Sequence, residues 1–444
     1  MTAGSITPGA ENLGAEPRTA CVGRANRDTR VAICALEKPR YDAFMQFVRS
    51  FVGVIALSWL GGCSSNAAAP TSAAVAPKCS VDADCASSAE KPRCEPTTGA
   101  CVALPPGFEI GFGDGSASSV TLTELHSTGA GSEPVDLAFH PQRTDELWVV
   151  GYADDSVTVG IGVSGEGAKW TRVVDPDAMH FMHKPPALAM GTSDRWATCG
   201  DNDNTDSGGG DGSAANFMGP ALFSTDLSIM GKATPGGLGS HEDMLHNTPF
   251  CRGIAHQVKN TFWAFNSLDK SLDKYNFNSD HGPGQEDHSD GEIYRYAQGQ
   301  VKGADDSTPS QLAFDAGDGF LYVADTGNQR VVRLDTTKGV KGARLPRQME
   351  PLKGNAIMKD TAVEVVVPPG TLKKPSGIRV RNDLVYVTDT ATSTFYVFDK
   401  AGAEIRHLAT DLKPGSLAGF TFGSDSKVYF TDRTRNRVLR IDRN

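Results

Sequence analysis

Three stretches near the C-terminal end repeat one pattern: PSQLAFDAGDGFLYVADTGNQRVVRLD, PSGIRVRNDLVYVTDTATSTFYVFD and LAGFTFGSDSKVYFTDRTRNRVLRID. Each reads as a short apolar strand, a Gly/Asp/Asn turn, a strand ending in Asp, a second polar turn and a third alternating strand. A unit of this kind cannot bury both faces of its sheet alone, so like units must stack around an axis. The pattern predicts an all-β chain closed into a β-propeller. Weaker copies begin near Pro134, Pro186 and Cys251, which brings the expected count to six blades. Successive starts lie about 40 to 65 residues apart, longer than a bare blade of about 40–45, so several connections carry insertions. A strand from residues 108–123 is expected to close the ring, because a propeller must join its first and last blades.

The repeats resemble the NHL family of propeller units. The first matches best, with Pro309, Leu312-Ala313-Phe314-Asp315, Leu321-Tyr322-Val323-Ala324-Asp325, Asn328 and Arg330-Val331. The second keeps Pro375, Gly377-Ile378 and Tyr386-Val387-Thr388-Asp389, but has Thr394-Phe395 where Arg-Val would stand. The third keeps Tyr429-Phe430-Thr431-Asp432 and Asn436-Arg437-Val438. The resemblance implies an NHL-type six-bladed propeller over residues 107–444 and leaves the chemistry open, since one fold hosts many functions.

Before the repeats, FVGVIALSWL at residues 51–60 is the only long apolar run, and LGGC follows it. Such a run is too short to span a bilayer, which takes about 20 residues, and suits a signal-peptide core. With Arg49 before it and Cys63 after two glycines, it resembles a bacterial lipoprotein signal, which implies cleavage before Cys63 and lipidation of that thiol. Met45 opens a complete signal over 45–62, so residues 1–44 read as an extension foreign to the mature protein. Residues 63–78, rich in Ala, Pro and Ser, read as a disordered tether. The resemblance to lipoproteins implies a place in the bacterial cell envelope, the outer membrane favoured, facing the periplasm or the surface.

Cys79, Cys85, Cys94 and Cys101 stand as C-x5-C-x8-C-x6-C over a module at 79–102. A dense even set in an exported chain predicts two disulfides. Of the three pairings, first-to-third with second-to-fourth is expected. Zinc is the rival, although the C-x2-C pairs usual in such sites are missing. The module resembles small cysteine-rich units of secreted myxobacterial proteins. In the propeller, Cys199 ends a second strand and Cys251 begins an innermost one. Antiparallel order puts both on one face of adjacent blades, in reach of a disulfide or as two buried thiols.

The same reasoning sorts the candidate metal ligands. His180 and His183 precede the second blade, and His241 and His246 precede the third. The loop GDNDNTDSGGGDG, with Asp201, Asp203, Asp206 and Asp211, follows a second strand, so all are expected on the top face. Imidazoles with carboxylates suit a divalent transition metal, and the acidic loop alone suits calcium. A second group, Asp280, His281, Asp287, His288 and Asp290, surrounds Gly282-Pro283-Gly284. It joins the third and fourth strands of blade three and is expected at the outer edge of the bottom face, separate unless the loop folds back. Peptide-amidating lyases, also NHL-type propellers, hold zinc by histidines just before the innermost strands. The matching positions here are Val135, Pro186, Arg252, Ser310, Ser376 and Ala418, none of them His, so any metal must come from the loops. Arg252 is a candidate for holding an anionic ligand at the channel mouth.

The charge balance is acidic, with 43 Lys+Arg against 53 Asp+Glu, and no basic stripe exists, which argues against nucleic-acid binding. There is no G-x-S-x-G elbow and no P-loop. The leading expectation is a lipid-anchored propeller that binds an envelope protein or a small-molecule ligand. The alternative is a metal-dependent hydrolase or lyase using the histidine-rich insertions of blades one to three.

Overall fold

The computed structural model describes residues 79–443 apart from 86–90, 96, 193, 204–216, 347 and 349. The extension at 1–44, the signal at 45–62, Cys63 and the tether lie outside the described residues, as do Asp206 and Asp211. Among the described residues, no helix is long and apolar enough to cross a membrane.

The repeats form six sheets. Blade one is Pro134–Phe139, Glu146–Gly151, Ser156–Ile161 and Lys169–Val174; blade two is Leu188–Met190, Arg195–Thr198, Ala221–Ser224 and His241–Met244. Blade three is Cys251–Val258, Thr261–Asn266, Ser271–Asn276 and Glu292–Tyr296. Blades four and five are Leu312–Asp315, Phe320–Asp325, Arg330–Asp335 and Val363–Val367, then Pro375–Arg381, Leu384–Asp389, Thr394–Asp399 and Glu404–Ala409. Blade six takes Leu417–Phe422, Val428–Asp432 and Arg437–Arg443 from the C-terminal end and Val120–Ser127 from the N-terminal side.

One position explains why the sheets stack. In five blades the residue three before the end of the second strand is Trp148, Trp263, Tyr322, Tyr386 or Tyr429, in blade two Trp196 stands two before the end, and all six are fully buried. Trp148 and Trp196 share the seam between blades one and two, with centroids 5.6 Å apart, and the other four rings each pack into a seam of their own. The polar tips are mostly satisfied: Tyr322 and Tyr429 donate to Asp318 and Asp425, and Trp148 donates to Glu146. Loss of one such ring costs about 3–5 kcal/mol. A seam holding Leu137, Leu147, Val149, Tyr429 and Val438 joins blade six to blade one, so the ring is closed by core packing as well as by strand pairing.

The aspartates ending the second strands organise the turns beyond them. Asp325 accepts from Lys302 N at 2.7 Å and pairs with Arg330 at 2.7 Å. Asp432 repeats this with Arg437 at 2.9 Å. In blade five Thr394 replaces the arginine, and Asp389 takes backbone N–H groups of Lys373, Lys374 and Ala391 instead. The glycines of C-R-G, P-S-G and L-A-G sit where blades come closest. A Cβ on Gly253 would meet Ser310 O at 2.2 Å, and one on Gly377 would meet Ala418 O at 2.5 Å.

Two features differ from expectation. The closing strand starts at Val120 rather than near 108, because Gly111 and Gly115 hold left-handed φ of 106° and 85° and interrupt extended chain. Residues 108–119 instead hold two short 3-10 turns, Phe108–Ile110 and Ala117–Ser119. The long connection inside blade four also leaves its own sheet. Its strand Gly354–Lys359 pairs parallel with Glu292–Tyr296 and extends blade three outward.

The cysteine module is a 3-10 turn, Asp82–Cys85, against a hairpin of Arg93–Glu95 and Ala100–Val102. Its disulfides are Cys79–Cys94 and Cys85–Cys101, the expected pairing, which removes these thiols from metal chemistry. Cys199 and Cys251 are also joined, tying blade two to blade three.

Candidate metal centre

Five histidines from three segments meet where blade two faces blade three. His241 opens the outermost strand of blade two, and His246 follows that strand. His180 lies on the one-turn helix Ala178–Phe181 between blades one and two. His281 and His288 come from the loop between the third and fourth strands of blade three. Ring centroids connect them in sequence: His180 to His246 at 6.4 Å, His246 to His288 at 6.0 Å, His288 to His281 at 5.3 Å and His281 to His241 at 5.0 Å.

The two groups expected on opposite faces are therefore one. The loop of blade three folds back onto blade two: His281 N donates to Glu242 O at 3.1 Å, and Gly284 N donates to His241 O at 2.8 Å. Arg195 anchors the same loop, reaching Glu242 at 2.9 Å and Asp280 at 3.0 Å. The receiving strand is bulged. Leu222 opposes Asp243 and Phe223 opposes His241, leaving Glu242 as the extra residue. A bulge of this kind re-aims neighbouring side chains.

Ligand atoms of His241, His281 and His288 lie within 4.8 Å of one another, and so do those of His246, His288 and Glu350. Several rings are oriented through Nδ1. His241 Nδ1 bonds Leu238 O at 2.8 Å, His281 Nδ1 bonds Gly282 O at 2.7 Å, and His246 Nδ1 bonds Glu350 at 2.9 Å. A carbonyl acceptor on Nδ1 fixes the tautomer that leaves the Nε2 lone pair free, the usual support of a metal-bound imidazole. The Nε2 atoms of His246, His281 and His288 are buried and have no hydrogen-bond partner, as have both oxygens of Asp243. Phe181 stacks on His241 with centroids 3.6 Å apart, and Phe217 stacks on His246 at 4.6 Å.

Burial sets the charge state. It pushes His241 down to about 3 and His288 down to about 4, with neighbouring imidazoles adding to the effect. His180 falls to about 4 through burial and the adjacent His246, and burial also lowers His281. These rings are neutral near pH 7, the form that binds metal. Burial raises Asp243 to about 9, reinforced by the charges of Asp290, Asp280 and Glu350. Burial alone would raise Glu350, but the hydrogen bond with His246 holds it below its ordinary value.

The remaining candidates stand elsewhere or are engaged. His183 bonds Asp155 at 2.8 Å and fixes the link between blades one and two. Asp201 is paired with Arg252 at 3.0 Å and accepts from Tyr152 at 2.6 Å, so neither Asp201 nor Arg252 joins the histidines. Arg252 also donates to Asp306 O, making it a brace between blades. Asp203 belongs to neither ligand group. Asp287 caps an exposed turn through Ser289, and Asp290 accepts from Ser279 N while keeping one oxygen buried and unpartnered. Sequence reasoning missed Glu350 and Asp243. Glu350 arrives on the blade-four insertion with no motif around it. Asp243 was visible as the second residue after His241 on a strand.

Beside the centre, the loop that supplies His281 and His288 carries a surface depression. A depression of 430 Å³ is lined there by His281, Gly282, Pro283, Gln285, Glu286 and Asp287. A ligand set of three imidazoles suits zinc or another late transition metal; calcium prefers oxygen.

No family model matches the chain, and no curated protein matches it by sequence. Among solved structures it is similar to an auxiliary nutrient binding protein from Bacteroides ovatus, at 12% identity and TM-score 0.47, covering 76% of each chain. It is similar to virginiamycin B lyase from Staphylococcus aureus, at 12% identity and TM-score 0.42, covering 73% of this chain and 99% of that one. It is also similar to a gluconolactonase from Xanthomonas campestris, at 13% identity and TM-score 0.44, covering 77% and 93%.

Proposed function

We propose that this chain is a metal-dependent hydrolase or lyase, with a divalent transition metal held by His241, His281 and His288. The observation that carries this reading is the convergence of three ligand atoms within 4.8 Å, two of them buried Nε2 atoms without a partner. Unpartnered buried polar atoms cost about 1–3 kcal/mol each, and a bound cation removes that cost. Three protein ligands leave a position for water, whose pKa zinc lowers to about 7. His241, His281 and His288 would hold the cation, which would supply Lewis-acid activation of water or of a substrate oxygen. A propeller that only binds a partner gives these atoms no role, which is why the enzyme reading is preferred to the binding-platform reading.

The test is elemental analysis of the purified chain followed by a screen of ester, lactone and phosphoester substrates. The expected result is stoichiometric transition metal, with turnover abolished by a chelator and restored by zinc. His281→Ala and His288→Ala are expected to lose both metal and turnover. A metal-free chain after growth and dialysis in zinc would refute the centre.

Anchoring belongs to the same proposal. Lipidation at Cys63 would tether the propeller in the bacterial envelope, at the outer membrane, where its substrate would be met. Labelled palmitate incorporated into the wild-type chain but not into Cys63→Ser would support this. A chain that fractionates as cytosolic and unlabelled would overturn it.

A further inference from the structure

A single cation on His241, His281 and His288 leaves part of the cluster unexplained. His246, 7% exposed, keeps a buried Nε2 without a partner, and Asp243, fully buried, keeps both oxygens without one. These atoms do not belong to the three-histidine set. His246 and Glu350 instead form a second set with His288, again with ligand atoms within 4.8 Å of one another. The two sets have only His288 in common.

We propose that the centre holds two divalent cations, with His288 common to both and the buried Asp243 carboxylate as their shared counter-charge. The inference rests on the metal-centre reading above and adds stoichiometry to it. The first cation takes His241 and His281, and the second takes His246 and Glu350.

The chain supplies the two halves from different directions. His281 and His288 come from the folded-back loop of blade three, while Glu350 is delivered by the blade-four insertion whose next strand, Gly354–Lys359, is stitched onto blade three. The insertion is longer than the blade needs, and its placement of Glu350 against His246 gives it a purpose. Asp243 lies between His241 and His246 in sequence, and its side chain is fully buried. Paired cations are a known device for stabilising both the attacking and the leaving oxygen of a hydrolysed ester. The substrate class that follows is an ester or phosphoester, whose oxygens such a pair would polarise.

Stoichiometry decides the matter. The full chain is stripped with chelator, dialysed against zinc in slight excess at neutral pH, and its zinc content measured per chain. The expected value is two. His241→Ala and Glu350→Gln should each leave one, and the double variant none. Wild type with one zinc would overturn the two-cation proposal while sustaining the function proposed above; wild type with none would overturn both. Two zinc ions retained in Glu350→Gln would refute the assignment of the second set. Cobalt titration of the wild type guards against variants that fail to fold. Visible absorption should rise to two equivalents, and a break at one equivalent refutes the pair.

Discussion

The most direct consequence of the buried imidazoles is that this site should hold metal in acid. Protons compete with metal for the same nitrogens, so the pKa of each ligand sets where competition begins. An imidazole of ordinary pKa near 6.5 is only about 3% neutral at about pH 5, which costs roughly 2 kcal/mol of metal affinity per ring. Two such ligands would lose about a thousandfold between about pH 7.5 and 5. His241 and His288 are pushed down to about 3 and about 4 by burial, so over nine-tenths of each stays neutral at about pH 5. With His281 lowered by burial as well, the zinc affinity of the wild type, measured by competition with a chromophoric chelator, is therefore expected to fall far less than about a thousandfold over that interval. A fall of a thousandfold would refute the reasoning, because it would mean these rings titrate as if in water.

The same shifts give the metal-free protein the opposite weakness. The unfolded chain takes up protons near pH 6.5 and the folded chain only at about 3 to 4, so the denaturation midpoint should hold above about pH 6.5 and decline as pH falls towards 4. His241→Gln should flatten that decline; an unchanged slope would show that another group causes it. Replacing Cys199 and Cys251 by serine opens a crosslink spanning 52 residues, for which loop-closure entropy gives at most about 4 kcal/mol by chemical denaturation. No loss would mean that the unfolded chain is already constrained there. Asp273, fully buried, pairs with Arg295 at 2.9 Å beside the partly exposed Asp269 at 2.7 Å, and Asp273→Ala should cost about 3 kcal/mol by removing the buried one of the two carboxylates. The double change Asp273→Leu with Arg295→Met should recover most of that loss, and failure to do so would point to packing as the cause.

The propeller was legible because each blade repeats its physical requirements. The wedge ring, the Asp at the end of the second strand and the glycine at the closest approach recur at fixed intervals, and together they give strand order. Chain direction then sufficed to bring Cys199 to Cys251 and His180 to His246. It did not suffice for His281 and His288. Knowing which end of a blade a loop leaves from does not say which way the loop then lies, and Arg195, on the neighbouring blade, decides that by gripping Glu242 and Asp280. Glu350 was less accessible still. Its position depends on a parallel strand pairing between two blades, a contact without local sequence signal. Asp201 shows the converse: a residue that reads as loop chemistry in isolation is consumed by Arg252 and the hydroxyl of Tyr152.

The sheet shared by Val120–Ser127 and Arg437–Arg443 imposes a timetable. Thr123, made early, donates to Asp442, which follows it by 319 residues, and until that partner exists the first strand has nothing to zip against. A nascent chain lacking its last strand must leave both edges of the incipient ring open, with the apolar flank of blade one uncovered. The fold is thus a clasp fastened by its final few residues, and truncations there should weigh far more heavily than equal losses from the cysteine module.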